Sequence, residues 1–162
     1  MNKELFDISP KEMTREDAVA NIFDLERAIK SLPEALDKNS PEFQYNHWFA
    51  PELYGREITM PDETCLTTEI HASENIAILS KGAITVYTEK GLEYHEAPFT
   101  MITKIGTKRA MICHGEVVFT TIHHNQTNET NIEKLVDLMT FKDEFEYQKY
   151  IEYQDKLLEV ET

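Results

Sequence analysis

Apolar positions recur along this chain with two different periods, and the change from one to the other marks its parts. Val19, Ile22, Phe23, Leu25, Ile29 and Leu32 follow one another mostly at three- and four-residue steps, the stripe of an amphipathic helix. Thr14, with Asp17 three residues on, has the form of a capping box, and Pro33 marks the stop. Residues 33–55 show neither period. Pro33, Pro41 and Pro51 punctuate them, yet Phe43, Tyr45, Trp48, Phe49 and Tyr54 make the segment too aromatic for a free linker. The expectation is an irregular strap packed across the domain, with His47 and Trp48 as an alternative binding lip.

From Arg56 to His124 the period becomes two. Strands are expected at 56–60, 66–71, 75–80, 83–89, 92–96, 99–103, 108–114 and 116–123. Turn signals separate them, among them Lys81-Gly82, Lys90-Gly91, Ala97-Pro98 and His114-Gly115. Short strands at this spacing, with no helix between them, predict an antiparallel sandwich or barrel. Helix returns at the C-terminal end. Thr130-Asn131-Ile132-Glu133 reads as a second capping box before Leu135, Val136, Leu138 and Met139. A further stripe uses Phe141, Phe145, Tyr150, Ile151, Leu157 and Leu158, and its opposite face is acidic and solvated. The fold class is therefore mainly β with flanking helices, an α+β chain. Residues 1–55 hold the first helix and strap, 56–125 the barrel, and 126–162 the acidic helices, packed on the barrel or on a partner subunit.

Composition narrows what such a domain does. At 162 residues and 41% hydrophobic, the chain can bury a core without disulfides or structural zinc. Its formal net charge of −14 repels phosphate backbones, and Lys104 to Arg109 is the only basic cluster, so no nucleic-acid partner is expected. Cys65 and Cys113 have no zinc or CxxC spacing and read as two reduced, mostly buried thiols. No apolar run reaches membrane length, and the polar N-terminus lacks the core of a signal peptide. A soluble, cytoplasmic protein is the expectation.

The run PDETCLTTEIHASENIAILSKGAITVYTEKGLEYHEAPFTMITKIGTKRAMICHGEVVFTTIHHN, residues 61–125, resembles a small cupin domain. More narrowly, it resembles the short cupin-like proteins encoded by tailed bacteriophages, through ILSKG and the YTEKG turn, APFTMITKIGTKR, and VVFTTIHHN. The resemblance implies a cupin-type double-sheet barrel, or jelly roll. It also implies a phage or host protein partner, residence in a host cytoplasm and an association with virions. Cupins carry a two-part metal motif. Counting from Gly82, its first two histidine places fall on Glu69 and His71, and its acid place on Asn75. Counting from Gly106, its last histidine place falls on Arg109. Only His71 keeps the expected type.

A divalent transition metal needs three or four converging donors, which Glu69, His71 and His123 could supply. Arg109 would set a permanent positive charge beside it. No cofactor is therefore expected, a metal at His71 being the minority alternative. Arg109 with Glu69, His71, Asn75 and His123 instead suits a small polar or anionic ligand, because a guanidinium offers a planar fork to a carboxylate or phosphate. The plainer use of the same residues is an Arg109–Glu69 ion pair in an unused pocket. No serine or cysteine stands with a base for nucleophilic catalysis, and no phosphate loop exists. The expected function is a non-catalytic accessory or structural module acting through homo-oligomerisation and protein contacts. The alternatives are a ligand-binding pocket, or a cupin enzyme: a metal-dependent oxygenase, or a metal-free sugar isomerase or epimerase with His71 as general base.

Overall fold

The computed structural model describes residues 13–160; the first twelve residues, the bulk of the polar N-terminus discussed above, lie outside them. Helix α1 (Arg15–Lys30) starts where Thr14 Oγ1 accepts from the Asp17 amide at 3.1 Å. Its buried face is narrower than the expected stripe: Ala18, Val19 and Ile22 are buried, whereas Leu25 and Leu32 stay exposed. A polar anchor supplements them. Lys108 Nζ, on the barrel, donates to Glu26 Oε2 and to the Thr68 carbonyl, each at 2.7 Å.

Nine strands follow: β1 (Gln44–Ala50), β2 (Leu53–Met60), β3 (Cys65–Thr67), β4 (Ile70–His71), β5 (Asn75–Thr88), β6 (Gly91–Glu96), β7 (Phe99–Thr103), β8 (Ala110–His124) and β9 (Thr140–Phe141). Every pairing is antiparallel. Two long strands, β5 and β8, run through both leaves of a jelly-roll barrel. The first half of β5 and the second half of β8 join β1, β2 and β7 in one leaf. Their other halves join β3 and β6 in the second. Met60, Ala77, Leu79, Val117 and Phe119 from one leaf meet Ile84, Val86, Met111 and Cys113 from the other to form the core.

Three expectations need correction. Lys81-Gly82 and His114-Gly115 are bends within β5 and β8 rather than turns between separate strands. The register shifts between Leu79 and Ala83, and both glycines take positive φ, 78° and 73°. A Cβ on Gly82 would sit 2.5 Å from the Glu116 carbonyl, so the two strands cross there because no side chain intervenes. The segment 33–55 is not an irregular strap throughout, because β1 pairs with β2 from Gln44↔Thr59 to Ala50↔Leu53 and becomes the edge of the first leaf. Its aromatic residues are those a pleated surface favours. Cys65, lastly, is exposed rather than buried; both thiols are free, and burial above all pushes Cys113 up to about 11.

Helix α2 (Ile132–Met139) is capped by Asn131, whose side chain accepts from the Lys134 amide, and not by Thr130. The Glu129 carboxylate takes the Thr130 and Asn131 amides, which moves the helix start on by one residue. Leu135 and Met139 bury against Tyr54, and the Ala72 amide donates to the Met139 carbonyl at 2.8 Å. Helix α3 (Glu144–Val160) docks by its first turns. Arg15 grips the Glu144 carboxylate at 2.7 and 3.2 Å and lies 3.8 Å over the Tyr147 ring. Tyr147, Tyr150 and Ile151 are its half-buried aromatic and aliphatic residues, while Phe145, Leu157 and Leu158 are exposed, against expectation. No helix among the described residues is long and apolar enough to cross a membrane.

Candidate functional site

The two leaves diverge at the end opposite the glycine bends, and polar side chains gather in this mouth. Alternation along β2 carries the inward face from Met60 and Ile58 to Arg56 and Tyr54. Tyr54 is paired with His123, and His123 with Asn75, which in turn is paired with Thr103 on β7. Asn75 and His123 are 4% and 6% exposed, far below what their polarity favours. From the second leaf Arg109, 7% exposed, donates from Nη1 to Thr103 Oγ1 at 2.9 Å and so bridges the leaves. His71 Nδ1 lies 3.3 Å from Asn75 Nδ2.

Four of the five expected site residues thus share one place: His71, Asn75, Arg109 and His123. Glu69 does not join them. Its place beside His71 required an unbroken strand over 66–71, but pairing stops after Thr67. Thr68 instead ties itself to Arg109, its amide donating to the Arg109 carbonyl and its Oγ1 accepting from the Arg109 amide. Glu69 consequently turns to solvent, where its charge reaches Lys30, an ammonium held up foremost by its hydrogen bond to Glu26. Among the described residues Glu69 and Arg109 form no ion pair.

Arg56, Tyr54 and Thr103 belong to the cluster and lie outside the expected set. The expected strand begins at Arg56, which leaves Tyr54 outside the period of two. His47, the alternative lip residue, also comes close. Tyr54 Oη lies 2.8 Å from His47 Nδ1, and Tyr45, His47, Tyr54 and His123 stack in a row with centroids 6.0 to 6.3 Å apart. Trp48 points the other way, to the outer face, because its neighbours along the strand alternate sides.

The electrostatics of the mouth are one-sided. Burial, then Arg109, His123 and Arg56, lower His71 to about 3. Burial, then Arg56, lowers His123 to about 4. Both imidazoles are therefore neutral at pH 7. A conjugate acid that strong makes His71 a poor general base, because Brønsted behaviour rewards a pKa near the working pH. Burial also pushes Arg109 below its ordinary value, opposed by the charges of Glu89 and Glu93. Among the described residues no carboxylate pairs with Arg56 or Arg109.

The metal implied by the sequence motif does not fit this donor set. Two imidazoles face two guanidiniums with no carboxylate, and among the described residues no three His, Cys, Asp or Glu converge as metal ligands. Among the described residues three buried polar atoms lack partners: Ser73 Oγ, Asn75 Oδ1 and His123 Nδ1. The mouth is covered by the chain's own C-terminal part, since β9 pairs with β4 through His71↔Thr140 and α2 lies on Tyr54. Beside that cover opens a cleft of about 170 Å³ lined by Ser73, His124, Asn125, Leu135 and Met139 among others.

No protein-family model matches the chain, and neither does any curated protein. Solved structures do resemble part of it. An RmlC-like cupin from Shewanella frigidimarina is 12% identical over 65% of this chain and 94% of its own, with a TM-score of 0.48. The EutQ protein of Clostridium difficile is 14% identical over 57% of this chain and 76% of its own, with a TM-score of 0.46. The cupin domain of Schizosaccharomyces pombe Cnp3 is 14% identical over 54% and 68% respectively, also at 0.46. The strand arrangement described above is consistent with a cupin jelly roll carrying flanking helices.

Proposed function

We propose that this chain is a non-catalytic accessory module that works as a homodimer through the outer face of its larger leaf. One observation carries the reading. Trp48, Gly55, Ile122, Ile76 and Ile102 stand in direct register across five strands, Trp48↔Gly55, Gly55↔Ile122, Ile122↔Ile76 and Ile76↔Ile102. Trp48, Ile76 and Ile102 are 50%, 41% and 54% exposed, an apolar row on the surface of an otherwise acidic protein. Contiguous apolar surface of this kind marks an interaction site.

A second copy suits this row. Its central residue is Ile122, so a two-fold axis there sets Trp48 against Ile102 of the partner subunit and Gly55 against Ile76 of the partner subunit. Large side chains then meet smaller ones on either side of the self-paired Ile122, as suits an isologous interface. Charge agrees as well. Two copies of net charge −14 repel unless they meet on a neutral face. Glu57, on the same face of β2, is already hydrogen-bonded by Asn46 and Thr120. The strand region's resemblance to phage-encoded cupins supports an accessory role for the assembly.

Sedimentation velocity on the full chain tests this directly. The expected species is a dimer that becomes a monomer in Ile76→Glu, with unchanged circular dichroism. Trp48 is the only tryptophan, so its emission should shift to the red on dilution. A wild-type monomer at the highest soluble concentration, or a dimer that Ile76→Glu leaves intact, would sink the reading.

A further inference from the structure

The mouth of the barrel has the donors of an anion site where its fold relatives' motif would have metal ligands. We infer that it holds a small organic anion carrying a hydroxyl group beside its carboxylate or phosphate, enclosed under α2.

The anionic half of that ligand follows from Arg109 and Arg56. Arg109 is 7% exposed and has one hydrogen bond from its side chain, to the neutral Thr103 hydroxyl. A guanidinium carries five N–H donors, so most of its capacity faces no protein acceptor. Glu89 and Glu93 act on this charge through space, but among the described residues neither is in ion-pair contact with it, and a buried charge without a direct partner persists in a fold that gains from neutralising it. Arg56 reaches the same space from the other leaf. It is opposite Thr121, on the same face as His123, with its guanidinium 4.9 Å from the Tyr45 ring centroid. Both guanidiniums act on one imidazole, His71. Two forks converging from opposite leaves can each take an edge of one carboxylate or phosphate.

The hydroxyl half follows from Asn75 and His123. One end of the Asn75 amide is occupied by His71, while Oδ1 is buried without a partner. His123 Nδ1 is likewise buried and unpartnered, on the strand position directly opposite Asn75. Leaving such atoms unsatisfied costs about 1–3 kcal/mol each. An oxyanion cannot satisfy an amide oxygen, because both only accept. A hydroxyl both donates and accepts, so one group beside the anionic end serves both atoms. This demand for a donor and an anion together separates a hydroxy acid from a simple carboxylate, which only accepts.

Calorimetric titration of the full chain with malate, succinate and inorganic phosphate tests the inference. Malate and succinate are both dicarboxylates, and malate adds one hydroxyl. Malate should bind at one site per chain and at least about tenfold more tightly than succinate, the worth of one hydrogen bond to a buried group. Arg109→Met should abolish binding while leaving the urea midpoint unchanged or raised, since it removes an unpaired buried charge and keeps the bulk. Asn75→Leu should bring malate down to the level of succinate. Equal binding of all three probes, binding that survives Arg109→Met, or no heat with any of them would overturn the inference. So would stoichiometric zinc or manganese binding lost in His71→Ala. None of these outcomes depends on the dimer, because Ile76→Glu should bind malate as the wild type does.

Discussion

Lys108, on the barrel, and Glu26, on α1, meet at 2.7 Å across 82 residues of sequence, and the lysine side chain is only 1% exposed. The ammonium also donates to the Thr68 carbonyl and lies 4.3 Å over the Phe23 ring. Its burial is tolerable only because Glu26 is there.

The two partners should respond unequally to removal. Glu26→Ala leaves a buried ammonium without its counter-charge and should cost about 3 kcal/mol. Lys108→Met keeps the apolar stem, and the released Glu26 retains Lys30, so the loss should be clearly smaller. Urea unfolding of both variants checks this; equal losses would mean that packing, not charge, holds α1. Burial raises the Glu26 pKa, but the hydrogen bonds from Lys108 and Lys30 outweigh it and the net shift is downward. The stabilisation is thus full above the ordinary carboxylate value near 4.5 and is lost as pH falls through the depressed one.

The histidines of the mouth give a second pH effect at higher pH. Both titrate near 6.5 when unfolded but at about 3 and about 4 when folded. Below pH 6.5 the unfolded chain therefore binds more protons, so stability falls with pH from about 6.5 down to about 4. Two such groups give a slope approaching about 2.7 kcal/mol per pH unit. Urea midpoints between pH 7 and pH 4.5 measure it. His123→Gln should roughly halve the slope, and an unchanged slope would place the proton uptake elsewhere.

The glycine bends differ in what they demand. Gly82 combines positive φ with a site where a Cβ would press on the Glu116 carbonyl, so Gly82→Ala should cost about 2–4 kcal/mol. Gly91 also has positive φ, but nothing lies within 4 Å of its would-be Cβ, and Gly91→Ala should cost about 1–2 kcal/mol. Denaturant midpoints of the pair separate close approach from backbone conformation alone.

How far these features could be read from the sequence depended on how local their causes are. Alternation in 117–123 groups His123 with Val117, Phe119 and Thr121 on one face, but it is the cupin-like spacing counted back from Gly82 that puts Asn75 in the expected site. Glu69 escaped because the strand breaks at Thr68, through bonds to Arg109, 41 residues on. Gly82 and Gly115 signal positive φ, which serves a turn and a bend equally, so two bent strands read as four. Between Pro41 and Pro51 an edge strand read as a strap, because its partner lies in the very next segment and its inward face is only half covered. Arg56 and Tyr54 needed only the period of two carried two and four residues further back from Ile58.

The cover formed by α2 and β9 also bears on time. Met139 is held through its carbonyl by Ala72, and Thr140 is paired with His71, so the segment over the mouth is part of the same hydrogen-bonded lattice as the wall beneath it. A molecule held beneath it, as inferred above, gains a route to solvent whenever that lattice parts, so its residence depends on how often the chain lets go of itself.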